Sequence, residues 1–282
     1  MSQDLHLHTL ISDGELDPVS LLQQAAARGI RELSVTDHDA LGAYAWQDGA
    51  VFGEAKRLGL DLVVGLEMDA DMDGLEVHLL GLGVTLDDPR LAAHLGSVRQ
   101  ARCERARREI GIVNRLLGAG SVAESDIFAA GREPLMKPHF IHPLLDKGLF
   151  PTYEEANAWY RKNVKAGVTV PKPSLAQAIG LVKGAGGSAV LAHPGYYEKA
   201  GVAMAKRLAD LAALGLDAVE LDYPYHACSP HLFSEQDQRV FIGAIRAAGE
   251  LLGLRFTRGS DCHTSQDFEK VYAGPWADRS GY

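Results

Sequence analysis

The 282-residue sequence predicts an α/β protein, either a barrel or a doubly wound sheet, with a helical segment inserted into it. Three observations carry this. Short apolar runs alternate with amphipathic stretches at both ends of the chain. Between Asp88 and Ala166 the alternation stops and helical spacing takes over. No internal repeat or low-complexity run competes with that reading.

The first element is a strand over residues 3–7, where polar and apolar side chains alternate. A helix follows from Pro18 to Arg28, opened by Asp17-Pro18 and closed by Gly29. ELSVTDH (32–38) is a second strand, and 43–58 a second helix ended by Gly59. LDLVVGLEMDA (60–70) is a third strand, joined through the acidic turn DMDG (71–74) to a fourth, LEVHLLGLGV (75–84). From Asp88 to about Ala166 the helical run breaks at Gly118, Gly120, Gly131 and Pro151, and its segment 97–117 is amphipathic and strongly basic. Alternation then returns as helix 174–184, strand 187–195, helix 198–213, strand 218–223, helix 235–252 and strand 254–263. The expected domains are 1–86 together with 173–282, and the insertion 87–172.

A net charge of −9 argues against general affinity for nucleic acid or anionic membrane. The charge is uneven. Residues 91–172 carry 13 Lys and Arg against 8 Asp and Glu, and the remainder 15 against 29. Divalent cations would reverse the local sign of an acidic, histidine-rich pocket. Three widely spaced cysteines, Cys103, Cys228 and Cys262, do not make a disulfide framework, and the polar N-terminus does not resemble a signal peptide. No apolar run reaches bilayer-spanning length, so a cytoplasmic protein is expected.

The polar residues are placed with regularity. His6 and His8 end the first strand and Asp37-His38 the second. Glu67 comes late in the third, His78 lies in the fourth, His193 follows SAVLA, and Asp261 and His263 follow LRFTRGS. Singly, each is more simply a loop or partly buried polar residue. Jointly, six of eleven histidines fall at one end of the strands, where an α/β barrel assembles its site. His94, His142 and His231 lack this placement, and Cys262 is read as structural.

These pieces together resemble the PHP (polymerase and histidinol phosphatase) family of metal-dependent phosphoesterases. DLHLHTLISDG (4–14), VTDHD (35–39), GLE (65–67), VHLLG (77–81), AHPG (192–195) and GSDCH (259–263) occur in the family's order. The resemblance implies a distorted (β/α)7 barrel, TIM-barrel-like, with a helical insertion domain. It implies two or three divalent metal ions, Mn²⁺ first and Fe²⁺ or Zn²⁺ otherwise. His6, His8, Glu67 and Asp261 would hold one, Glu67 with His78 and His193 a second, and Asp13, His38 and His263 a third. Asp4, Asp37 and Asp39 would orient imidazoles through their second ring nitrogen.

The insertion is similar to that of nucleoside 3′,5′-bisphosphate phosphatases and 5′-to-3′ exoribonucleases acting on short RNA. That resemblance points to 134–148 and 162–172 as the substrate-binding region, with Lys137-Pro138-His139 where Arg-Thr-His is expected. The implied reaction is in-line attack by a metal-bridging hydroxide on a terminal phosphate, with a nucleoside 3′,5′-bisphosphate as substrate. Lys137, His139 and Lys162 would bind a second phosphate. His226 is expected as general acid or phosphate contact, and Asp261 counts with it as catalytic. The partner is a phosphorylated small molecule, nucleotide or short oligonucleotide, and neither a membrane nor a long duplex.

Alternatives share much of this pattern. A 5′-3′ exonuclease on short RNA or DNA, or a phosphatase of another phosphomonoester, could use every residue named. Amidohydrolase barrels also begin with HxH, yet usually carry a carbamylated lysine and a lone aspartate after the last strand, where GSDCH supplies two ligands. A non-catalytic domain would have lost ligands, and none is evidently lost.

Overall fold

The computed structural model describes residues 2–128, 135–164, 169–274 and 276. Seven strands lie side by side in chain order: β1 (Ser2–Leu7), β2 (Ile30–Val35), β3 (Asp61–Met72), β4 (Leu75–Leu82), β5 (Ser188–Leu191), β6 (Ala218–Asp222) and β7 (Arg255–Arg258). Asp73 and Gly74, with φ of 56° and 86°, form the two-residue left-handed turn between β3 and β4. Two residues can only reverse the chain. β4 therefore runs antiparallel to β3 and β5, while every other neighbouring pair is parallel. The sheet is thus mixed.

That reversal matters for the site. His78 lies near the start of β4, and the antiparallel course carries it to the end of the sheet where the parallel strands finish. The first and last strands also approach there: Leu7 bridges Cys262, His8 N–H donates to Cys262 O at 3.1 Å, and Asp261 N–H donates to His6 O at 2.8 Å. Leu5 of β1 shares a buried cluster with Leu80 and Leu82 of β4 and Val190 of β5. A flat sheet would hold those strands well over 10 Å apart at about 4.8 Å per strand, so the sheet curves strongly.

Helices cover the outside. α1 (Pro18–Ala27) starts where the Asp17 carboxylate accepts from Val19 N–H and Ser20 N–H. The single helix expected over 43–58 is instead two 3₁₀ turns, Gly42–Tyr44 and Trp46–Gly49, followed by α2 (Ala50–Leu58). Gln47 and Asp48 break it, because both take left-handed backbone angles (φ 45° and 57°). The helical run contains α3 (Pro89–Leu117), α4 (Glu124–Ile127), α5 (Pro138–Asp146) and α6 (Tyr153–Asn163). Ile110, Val113, Phe140, Ile141, Leu144 and Tyr160 give it an apolar cluster of its own. The break expected at Gly131, and the expected end of the run near Ala166, lie outside the described residues.

α7 (Leu175–Gly184) is opened by Ser174 and Gln177 in reciprocal capping bonds. α8 (Gly195–Lys199) and α9 (Met204–Ala213) replace the single helix expected over 198–213, and α10 (Tyr225–Cys228), α11 (Glu235–Leu251) and α12 (Ser265–Tyr272) complete the chain. β2, β5 and β7 stop earlier than their apolar runs suggest. Residues 36–39, 192–194 and 259–263 are freed as loops, and these loops carry ligands. Among the described residues no helix is long and apolar enough to cross a membrane.

Candidate metal centre

β3 supplies the centre of the site. Glu67 and Asp69 project to one side of the strand, as residues two apart must, and Asp69 lies opposite His78 on β4. Glu67 is buried and surrounded by five imidazoles. Its Oε1 lies 3.3 Å from His6 Nε2, 2.9 Å from His78 Nδ1 and 3.2 Å from His193 Nε2. Its Oε2 lies 3.3 Å from His8 Nε2 and 3.2 Å from His38 Nδ1.

Three groups of ligand-type atoms result. His6, His8, Glu67 and Asp261 form one, with Asp261 Oδ1 at 3.3 Å from His6 Nε2 and 3.0 Å from His8 Nε2. His38, Glu67 and His78 form another. His8, Asp13, His38 and His263 form the third, where Asp13 Oδ1 stands 3.4 Å from His263 Nε2. The first has the membership expected from sequence. The third gains His8, whose ring stacks on His263 at 4.2 Å. In the second, His38 takes the place expected for His193, which still reaches Glu67 through Nε2.

These groups fit divalent cations on a test independent of resemblance. His6 Nε2, His8 Nε2, His38 Nδ1 and Glu67 Oε2 are buried and lack hydrogen-bond partners, although all face one another across a few ångströms. A buried polar atom left unsatisfied costs about 1–3 kcal/mol, and several in one place point to a missing common partner. Mixed imidazole and carboxylate donors suit Mn²⁺, Fe²⁺ or Zn²⁺.

Without cations, protons take their place. Burial pushes Glu67 upward, but the charges of His38, His6 and His78 hold it well below the carboxylate range. Asp13 and Asp261 are likewise lowered, against burial, by His263 and His38 and by His6 and His263 respectively. Burial works against the charged form of His38, yet Glu67 and Asp13 raise it to about 9; Asp13 and Asp261 raise His263 to about 10 against the same penalty.

The backbone is strained at two residues expected from sequence as ligands. His193 and Asp261 have φ of 29° and 57°, and such conformations concentrate at functional sites. Each is held from outside. Glu220, fully buried on β6, accepts from His6 Nδ1–H at 2.9 Å and from His193 N–H at 2.8 Å. The Tyr197 hydroxyl accepts from His78 N–H at 2.8 Å and lies 3.4 Å from His193 Nδ1, and the Tyr223 hydroxyl donates to Asp261 Oδ2 at 3.0 Å.

The role expected of Asp4, Asp37 and Asp39 needs correction. Asp4 accepts from Ser260 N–H at 2.9 Å and from the Tyr272 hydroxyl, and Asp37 accepts from Thr9 N–H at 2.8 Å and the Ser12 hydroxyl at 2.6 Å. Asp39 pairs with Arg102. These carboxylates tie loops and a helix together, and among the described residues their bonds go to backbone, hydroxyl and guanidinium groups rather than to imidazole rings. The imidazole-holding role at His6 falls to Glu220. Nothing in AVELDY marked that glutamate beyond a charged residue inside an apolar strand.

The expected substrate groups are dispersed. Lys137 lines a cavity of about 220 Å³ with Arg102, Arg105, Lys172, Asp39 and Asp69. It also lines a cleft of about 710 Å³ that contains Asp13, His263, His142, Tyr153 and Arg161. His142, read from sequence as an ordinary histidine, therefore stands at this cleft. His139 is buried, its Nδ1 accepting from Met136 N–H at 3.0 Å. Lys162 is exposed on α6, and its neighbour Arg161 is the residue that lines the cleft. His226 donates through Nδ1–H to Phe233 O at 2.9 Å, outside the three ligand groups. Cys262 packs in the apolar cluster of Leu7 and Phe268.

Arg102 is the clearest residue that sequence reading missed. Its guanidinium, buried on α3, bridges Asp39 and Asp69, the latter at 3.0 Å. Nε of Arg102 is a buried donor without a hydrogen-bond partner, Nε of Arg105 lies 3.6 Å from Glu109 Oε2, and both residues line the smaller cavity. Donors so placed suit an anion.

Comparison with known proteins agrees with this chemistry. The PHP domain profile matches residues 4–165. A 3′,5′-nucleoside bisphosphate phosphatase of Chromobacterium violaceum is 32% identical over 265 residues, covering 92% of this chain and 86% of its own. A 5′-3′ exoribonuclease of Haemophilus influenzae is 29% identical over 225 residues, covering 77% of this chain and 78% of its own. A solved structure described as an amidohydrolase from Chromobacterium violaceum, with bound sulfate and no metal, matches with a TM-score of 0.73 at 29% identity, over 95% of this chain and 89% of that one.

Proposed function

The chain belongs to the PHP domain family, and from that premise we propose that it is a metal-dependent phosphoesterase that removes a terminal phosphate from a nucleoside 3′,5′-bisphosphate. The observation that carries the reading is the set of orphaned imidazole and carboxylate atoms around Glu67, beside a cavity lined by Arg102, Arg105, Lys137 and Lys172. Two or three divalent ions, with Mn²⁺ as the first choice, would supply charge neutralisation at the phosphoryl oxygens and activation of water.

The chain's own residues do the rest. Glu67 stands between the ligand groups and keeps them at a fixed spacing. Arg102, Arg105, Lys137 and Lys172 make the small cavity a place for the second phosphate, with His139 behind them and Lys162 at the outer surface. His226, with Nδ1–H donated to the Phe233 carbonyl, is assigned as the acid that protonates the leaving oxygen, giving up the Nε2 proton of its imidazolium form. The curved sheet is read as the family's distorted barrel over 1–86 and 173–282, with 87–172 as its substrate-binding insertion, and the setting as cytoplasmic.

A 5′-3′ exonuclease is the second reading, favoured by the wide cleft over Asp13 and His263. An amide hydrolase is disfavoured, since the group shared by two of the ligand sets is the Glu67 carboxylate, where amidohydrolase barrels usually carry a carbamylated lysine. The test is phosphate release from adenosine 3′,5′-bisphosphate beside 5′-AMP, 3′-AMP and a short 5′-phosphorylated RNA. The bisphosphate should give the highest kcat/KM. Equal kcat/KM with and without the second phosphate would sink the bisphosphate assignment, and mononucleotide release from RNA at a similar rate would make the enzyme an exonuclease.

A further inference from the structure

A second groove adjoins the ligand loops and takes no part in the chemistry above. Its volume, about 640 Å³, is that of a small-molecule site. One wall is formed by the loops that carry ligand-type residues: Ile11 precedes Asp13 by two residues, and Ala40 follows His38 by two. Asp39 lines both this groove and the cavity of Arg102 and Arg105. The opposite wall is one face of α3, where Ala92, Leu95, Gly96 and Arg99 recur at helical spacing. Trp46 and Gln47 line it as well.

Backbone strain gathers here. Among the described residues, the non-glycine positions with left-handed φ are Asp39, Gln47, Asp48, Asp73, His193 and Asp261. Asp73 serves the hairpin, and His193 and Asp261 stand in the metal centre. The other three lie in or beside the groove and fix the course of the loop that carries Trp46. Such conformations persist where the surroundings over-determine them, and functional sites are where they cluster.

We propose that this groove receives the nucleobase of the phosphorylated nucleoside, with Trp46 as its stacking partner and Gly96 leaving room for the ring. The inference rests on the phosphoesterase reading and extends it to the part of the substrate that reaction leaves untouched. An apolar wall bearing an aromatic side chain suits a flat heteroaromatic ring. The same helix serves both ends of the ligand: Gly96 and Arg102 are separated by about 9 Å at the α-helical rise, which sets the base apart from the phosphate cavity. A Cβ at Gly96 would meet nothing within 4 Å, so the open space there is available to a ligand.

The test is calorimetric binding of 5′-AMP and of ribose 5-phosphate to the Mn²⁺-loaded protein, as wild type, Trp46→Ala and Gly96→Phe. Wild type should hold 5′-AMP about tenfold tighter than ribose 5-phosphate, the scale of one stacked base. Either substitution should bring 5′-AMP down to the ribose 5-phosphate level. Should Trp46→Ala not fold, Gly96→Phe on the exposed helix face carries the test alone. Equal affinity of wild type for the two ligands overturns the inference, as does a tenfold preference that survives both substitutions. A sedimentation shift in Gly96→Phe with nucleotide affinity retained would assign the groove to a second copy of the chain instead. If wild type also releases no phosphate from the bisphosphate, the underlying phosphoesterase reading fails with it; release without base preference removes this inference only.

Discussion

Replacing Glu220 by glutamine removes one oxygen and one charge at a residue that sequence reading passed over. Glu220 is fully buried, and both oxygens are engaged, one by His6 Nδ1–H at 2.9 Å and one by His193 N–H at 2.8 Å. Both partners are donors. A glutamine must turn its own N–H₂ group toward one of them, so one buried donor pair faces itself without an acceptor. The penalty for such a group is about 1–3 kcal/mol. If the loss falls on His6, the ring no longer has its orientation and tautomer fixed, and outer-shell losses of this kind cost about 10–100-fold in metal affinity. The two figures agree, since a tenfold change is about 1.4 kcal/mol. The assay is Mn²⁺ affinity by chelator competition, read beside thermal unfolding of the metal-free protein. Glu220→Gln should weaken Mn²⁺ by at least tenfold while the protein still folds. Affinity within twofold of wild type would refute the claim that Glu220 holds the ligands in place.

Three other substitutions or conditions probe the same arrangement. Gly259→Ala should destabilise by about 1–3 kcal/mol or more in urea unfolding, because a Cβ there would collide with Glu220 Oε1 and His6 Cβ, both packed in place; wild-type stability would mean the β7 loop moves freely. Arg102→Met strips the counter-charge from buried Asp39 and Asp69 and should cost about 3–5 kcal/mol at neutral pH; a loss below about 1 kcal/mol would show that those carboxylates are neutral or solvated. The metal-free protein should lose stability as pH rises. His38 and His263, held near 9 and 10 against an ordinary 6.5, bind protons more tightly folded than unfolded. Their contribution is complete below about pH 6.5 and disappears as pH climbs through 9 to 10. Melting curves in chelator should therefore fall over that window, and Mn²⁺ loading, which replaces the protons, should abolish the fall.

The candidate metal centre was legible because its ligand-type residues sit where apolar runs end, a signal that survives in one dimension. What the runs could not show was where each strand stops. Thr36-Asp37-His38 and Ser260-Asp261-Cys262 look like strand continuations, yet they keep only isolated bonds to β1 and β3, such as Thr36 N–H to Leu7 O, Glu67 N–H to Asp37 O and Asp261 N–H to His6 O. The direction of β4 was carried by Asp73-Gly74, a turn too short for a crossover helix. Glu220 escaped notice because an alternating strand normally shows its charged residues to water, whereas here it is fully buried against His6 and His193. Arg102 stood among many arginines on a basic helix. Its distinction depends on Asp39 and Asp69, which reach it from distant parts of the chain. Trp46 lay in a segment read as regular helix, and only the left-handed angles at Gln47 and Asp48 set it apart.

The account stands most directly on one measurement: metal content and phosphate release in wild type beside His8→Ala, each stripped by chelator and then reloaded with Mn²⁺. His8 belongs to two of the three ligand groups. Wild type should regain two or more Mn²⁺ per chain (about that number, from the shared ligand sets) and release phosphate from adenosine 3′,5′-bisphosphate only when reloaded. His8→Ala should retain less metal and stay inactive. Phosphate release by the stripped wild type, or full metal content and activity in His8→Ala, would contradict the account.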